Sequence, residues 1–101
     1  MSDRIYVKFY VDAVRSGLVA DMGAERFQTL AVIASYMDAN GRCFPSQETI
    51  AAALGIRREN ANKRVKSLLA YKWRGRPVVT AERRRGRTEY TIDTEICFGM
   101  F

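Results

Sequence analysis

Pro45-Ser46-Gln47-Glu48-Thr49-Ile50-Ala51-Ala52-Ala53-Leu54-Gly55-Ile56-Arg57-Arg58-Glu59-Asn60-Ala61-Asn62-Lys63-Arg64-Val65-Lys66-Ser67-Leu68 is the stretch that decides the fold. Ser46 can accept a hydrogen bond from a free backbone N–H, so it opens a helix. That helix should run from Gln47 to Leu54, with Ile50, Ala53 and Leu54 inward. Ala51 is small where a second helix must come close. Gly55 breaks the helix. The next helix should run from about Arg57 to Tyr71. Its apolar stripe is Ala61, Val65, Leu68 and Leu69, three and four residues apart, which places them on one face. Glu59, Asn62, Lys63 and Lys66 lie opposite.

Downstream the period changes. Pro77-Val78-Val79-Thr80-Ala81 and Thr88-Glu89-Tyr90-Thr91-Ile92 are β-prone. Between them stands Glu82-Arg83-Arg84-Arg85-Gly86-Arg87, so a hairpin with a basic loop is expected. Helix, glycine turn and helix form a helix-turn-helix, whose second helix can enter the major groove. The hairpin turns this into a winged helix.

Upstream, Phe27, Leu30, Ala31, Ala34 and Met37 predict a helix from Ala24 to about Asp38, ended by Asn40-Gly41. A short turn or helical piece should lie between Gly17 and Gly23. Ile5, Val7, Phe9 and Val11 alternate with polar or aromatic residues, as in a half-buried strand. The fold class is therefore α+β: a winged helix-turn-helix with three to four helices, a C-terminal hairpin wing and a short N-terminal strand. One domain accounts for residues 1–101, with its core at about 24–92. Tyr36 and Phe27 read as core, and Trp73 as packing where helix meets wing. The apolar tail 95–101 has three readings: a last strand, a surface for a partner chain, or the junction to further domains.

The whole chain has 101 residues, 48% of them hydrophobic and 28% charged, which suits a globular fold. It has no histidine, which removes the commonest general base and metal ligand. Cys43 and Cys97 have no metal or disulfide spacing. No phosphate loop and no nucleophile–base pair is present, so no enzyme, cofactor or metal is expected. Tyr6 and Tyr10 could serve a nicking enzyme only with the metal-binding histidines that are missing. No run is long enough to cross a bilayer and the start lacks a signal core, so the expected location is the bacterial cytoplasm, on nucleoid or plasmid, with no membrane partner.

Net charge is +6, and its distribution is uneven. Residues 1–56 carry five basic and six acidic groups; residues 88–101 carry three acids and no base. Residues 57–87 carry twelve basic groups against Glu59 and Glu82 alone. Such segregation marks a polyanion-binding surface.

The run Cys43 to Ile56 resembles the start of the winged-helix domain of bacterial, plasmid and phage replication proteins, with relatives among transcriptional regulators. In that family, PSQ-x-x-[IL]-A-x-x-L-G precedes S-R-R-T-V-x-R-x-[IV]-x-x-L. Here Arg57 stands where the family has a Ser/Thr cap, and Asn60-Ala61 where it has Thr-Val. The resemblance spans about residues 24–92. It implies sequence-specific binding of double-stranded DNA in replication initiation. The alternatives are a dimeric winged-helix repressor, or a winged helix that contacts protein within a larger assembly.

The chemistry suits these roles. Arg57 and Arg58 can reach guanine edges or phosphates, and Asn62 can pair with adenine. Glu59 can accept from cytosine or pair with Lys63. Lys63 and Lys66 suit phosphate or base. Ser46 and Gln47 stand at a helix N-terminus, where N–H groups meet phosphate, although Ser46 can also serve as a plain cap. Arg83, Arg84, Arg85 and Arg87 repel one another unless an anion is near. As an exposed loop they should add nothing to stability and should contact DNA, with a preference for narrow A·T-rich minor grooves. A homodimer would use the strand Ile5–Val11 and the tail.

Overall fold

The structure is a computed structural model that describes residues 4–100. In chain order it holds β1 (Lys8–Phe9), α1 (Asp12–Arg15), α2 (Leu18–Met22), α3 (Ala24–Ala34) and β2 (Arg42–Cys43). Then come α4 (Gln47–Leu54), α5 (Arg58–Ala70), β3 (Lys72–Trp73), β4 (Arg76–Pro77), β5 (Val79–Arg84), β6 (Arg87–Ile92) and β7 (Phe98–Gly99). The wing is antiparallel β5–β6, and β2 adds to the far edge of β6. This is the expected α+β winged helix, with helices α3, α4 and α5 packed on one another. Five helices are present among the described residues, because the segment before Ala24 folds into two short ones.

The core follows the helical stripes. Leu30 and Ile33 of α3, Ile50 of α4, and Ala61 and Leu68 of α5 are fully buried. Each large apolar side chain so buried contributes about 1.5–3 kcal/mol. Ala51 is buried where α4 meets α5, but Ala53, expected inward, is exposed. Ala51, not Ala53, completes the buried set Ile50, Ala51 and Leu54 of this helix. Polar links reinforce the packing of α2 and α3 on α5. Tyr71 donates to Asp21 at 2.6 Å, and Arg26 lies over the Tyr71 ring while its Nε donates to Ser67 at 3.0 Å.

The structure differs from several expectations. The N-terminal strand is two residues long rather than Ile5–Val11, and Ile5 is 91% exposed. Its partner β7 offers only two residues, and Val11 already caps α1. Helix α3 ends at Ala34, four residues early. There Tyr36 and Met37 bond to carbonyls three residues back, and Asp38 accepts from the N–H groups of Asn40 and Arg42, which turns the chain. Tyr36 is 48% exposed, so it is not core. Gly41 lies in that turn at φ 80, and a Cβ there would clash with the carbonyl oxygen of Ile92. Only glycine lets this loop approach the wing strand so closely.

The tail contributes a last strand, β7, as the first of its readings expected. Phe98 joins Phe9 and Phe27 in an aromatic cluster with centroids 5.3–6.0 Å apart, and Cys97 and Phe98 are buried. Phe98 thus packs on Phe9 of the N-terminal strand and on Phe27 of α3.

Candidate nucleic-acid interface

The turn between α4 and α5 is built as its residues require. Ser46 accepts from the Thr49 N–H at 3.1 Å, and Gly55 closes α4 in the left-handed region. Arg57 is the N-cap of α5 and makes no side-chain capping bond, as its replacement of a hydroxyl residue dictates. The N-terminal N–H groups of α5 therefore carry no side-chain cap.

On α5, Glu59, Asn62, Lys63 and Lys66 are exposed, on the face opposite the buried Ala61, Val65 and Leu68. Arg57, Glu59, Asn62, Lys63 and Lys66 have no side-chain partner among the described residues, so the alternative pairing of Glu59 with Lys63 is absent. Arg58 is engaged: it sits 2.7 Å from Glu48 across the turn. Gln47 turns inward, donating from Nε2 to the Tyr90 hydroxyl at 3.1 Å, while its Oε1 is buried without a partner.

The wing differs from the basic loop expected. Glu82, Arg83 and Arg84 lie on β5 and Arg87 on β6, so the loop is only Arg85-Gly86. Both loop residues have positive φ, 52° and 80°, as a two-residue hairpin turn of the right twist requires. Strand alternation places Glu82 and Arg84 on one face, opposite Glu89 and Arg87. Arg84 consequently bonds Glu82 at 3.1 Å and lies 3.8 Å from Glu89, which is nearly buried. Arg87 lies over the Phe44 ring at 3.9 Å. Arg83 donates to Thr88 and to the Gly86 carbonyl. Arg85 alone has no partner among the described residues. The expectation of a bare basic loop is therefore corrected: three of these arginines have partners within the fold, because the hairpin is longer than the charge run suggested.

Wing and helices enclose a cavity of about 230 Å³. Ser46, Gln47, Glu48 and Arg58 line it from the helix side, and Arg83, Gly86, Arg87 and Tyr90 from the wing. The fold thus brings Ser46, Gln47, Arg58, Arg83 and Arg87 together. Lys63 and Lys66 lie farther along α5, and Arg85 at the tip. The sequence reading missed Phe44, Glu48 and Tyr90. Phe44 carried a signal, an aromatic two residues before the N-cap Ser46, and it is 41% exposed here.

A family model described as a helix-turn-helix domain matches residues 23–73, half of the chain. The chain belongs to the helix-turn-helix domain family. No curated protein and no solved structure matches it. The helix-turn-helix match runs from the start of α3 through α5 to the end of β3 and leaves the wing outside. A helix-turn-helix is a DNA-binding fold, and DNA is the partner it implies. No helix among the described residues is long and apolar enough to cross a membrane.

Proposed function

We propose that this helix-turn-helix domain binds double-stranded DNA sequence-specifically, with no catalytic step, cofactor or metal of its own. α5 lies in the major groove, where Arg57, Arg58, Glu59 and Asn62 read bases and Lys63 and Lys66 hold phosphate. The N-terminus of α4, with Ser46 and Gln47, meets the flanking backbone. The wing reaches the adjacent minor groove through Arg85, with Arg83, Arg84 and Arg87 at its rim. The observation that carries this is the unpartnered polar face of α5, beside a wing tip whose one free group is an arginine.

The resemblance in Pro45–Leu68 favours a cytoplasmic role in replication initiation of a plasmid, phage or mobile element, with any further domains supplying the rest. A dimeric transcriptional repressor is the alternative on the same chemistry. Sedimentation with and without duplex separates these, since a repressor should pair. A third reading, protein contact, draws support from one observation: Arg58, Arg83, Arg84 and Arg87 have partners within the fold.

The test is a titration of duplex selected from a random pool, repeated over a salt series. About five neutralised phosphates should give a slope of log K against log salt of roughly −4 to −5. A flat slope, or no duplex bound at low salt, removes the DNA reading and favours protein contact.

A further inference from the structure

Trp73-Arg74-Gly75-Arg76 spells the same turn as Arg84-Arg85-Gly86-Arg87. Both fold alike. Trp73 faces Arg76 as Arg84 faces Arg87, and the two residues between have positive φ. Arg74 stands at φ 52 and Gly75 at 82, against 52 and 80 in the wing. A non-glycine side chain in this region is uncommon and costs about 1–2 kcal/mol. The chain therefore holds two arginines at strained hairpin tips.

The two tips lie at opposite ends of α5. The wing's Gly86 lines a cavity with Arg58, in the first turn of the helix. The β3–β4 hairpin starts at Lys72, two residues after the last residue of α5. A helix of thirteen residues is about 20 Å long, and the major groove is about 12 Å wide. Groups just beyond the ends of a helix in that groove meet the phosphates at its rims.

The charge on this hairpin is available. Lys72 is exposed and has no partner among the described residues. Arg74 is exposed and lies over the ring of its neighbour Trp73 at 4.9 Å, which orients it without neutralising it. Arg76 is paired with Asp93 at 2.5 Å. Arg74 and Arg76 line one cavity with Asp12 and Glu95, but neither carboxylate is within ion-pair distance of Arg74, so Lys72 and Arg74 remain unpaired among the described residues.

We propose that the β3–β4 hairpin is a second phosphate-binding arm, with Lys72 and Arg74 gripping the backbone of the same duplex beyond the C-terminal end of α5. The wing grips at the other end, and together the arms set the angle of the helix in the groove. The proposal rests on the duplex-binding reading above.

The test is the double variant K72A/R74G, since glycine is relaxed at φ 52 and the fold is not put at risk. Wild type, K72A/R74G and R85G are titrated with the selected duplex and with random duplex over the same salt series. The expected result for K72A/R74G is an equal fold-loss on both duplexes, a slope shallower by about two, and a Tm no lower than wild type. R74K should retain the wild-type slope. An unchanged slope in K72A/R74G, with R85G weakened, overturns the second arm and leaves the duplex reading standing. A loss confined to the selected duplex also overturns it, because phosphate contacts carry no sequence. If wild type itself binds no duplex, both readings fall together.

Discussion

Glu48 holds Arg58 at 2.7 Å across the turn that joins α4 to α5, so the first residue of α5 is already paired before any ligand arrives. Both side chains are more than 60% exposed, so the pair is worth under about 1 kcal/mol. DNA can break it at little cost. Glu48→Gln should free Arg58 and remove a carboxylate from the interface. Duplex affinity should rise, by about threefold or more, with Tm nearly unchanged. A fall in affinity would mean that the pair presents Arg58 to the DNA and does not restrain it.

The wing arginines should divide into two kinds. Arg85→Ala removes a group with no partner from a strained position, so it should lower affinity without lowering Tm. Arg84→Ala leaves Glu82 and Glu89 facing each other across the ladder, and like charges directly opposite are unfavourable. It should destabilise the domain by roughly 0.5–1 kcal/mol, measured by urea unfolding. Equal stability of the two variants would show the Arg84 pairs to be energetically empty.

Alkaline pH should weaken the fold. Burial, then the Asp38 and Glu89 carboxylates, pushes the Cys43 thiol up from 9.0 to about 12. Burial pushes Cys97 to about 11, and burial with the bond to Asp21 pushes Tyr71 from 10.0 to about 12. All three are raised, so the folded state favours the protonated forms. Their contribution is complete below about pH 9 and is lost as pH rises towards about 12. Urea midpoints should therefore be flat near neutrality and fall above about pH 9. A Cys43→Ala, Cys97→Ala variant should fall less steeply. A wild-type curve that rises over that range would contradict the burial of these groups.

The aromatic cluster predicts a contrast at the two ends of the chain. Phe98 is 7% exposed and touches Phe9 and Phe27, so Phe98→Ala should cost about 3 kcal/mol. Ile5 is 91% exposed, so Ile5→Ala should cost almost nothing. Chemical denaturation of both variants checks this. A large loss at Ile5 would restore the longer strand that alternation suggested.

What could be read from the sequence was short-range. Ser46, Gly55 and the stripe Ala61, Val65, Leu68 each act within a few residues, and they fixed α4, the turn and α5 closely. The alternation at Ile5–Val11 misled because a strand extends only as far as its partner, and β7 is two residues long. The charge run hid strand residues inside an apparent loop. Which arginines are engaged depends on register, through Glu89 opposite Glu82 and Phe44 beneath Arg87, and no local signal carries that. The β3–β4 hairpin has no place among the sequence expectations, although Arg74-Gly75 has the same spelling as the wing turn Arg85-Gly86.

Lys8 stands directly opposite Gly99, and the Tyr10 hydroxyl donates to the Thr94 carbonyl at 2.6 Å. The first and last strands are thus zipped together, and in space the described chain is nearly a ring. Linking β1 to β7 covalently would demand little movement of any helix. By chain-entropy reckoning, closing a loop of about this length removes roughly 4–5 kcal/mol of freedom from the unfolded state. Protein linked between β1 and β7 should then melt well above its unlinked form while presenting the same α5 and wing.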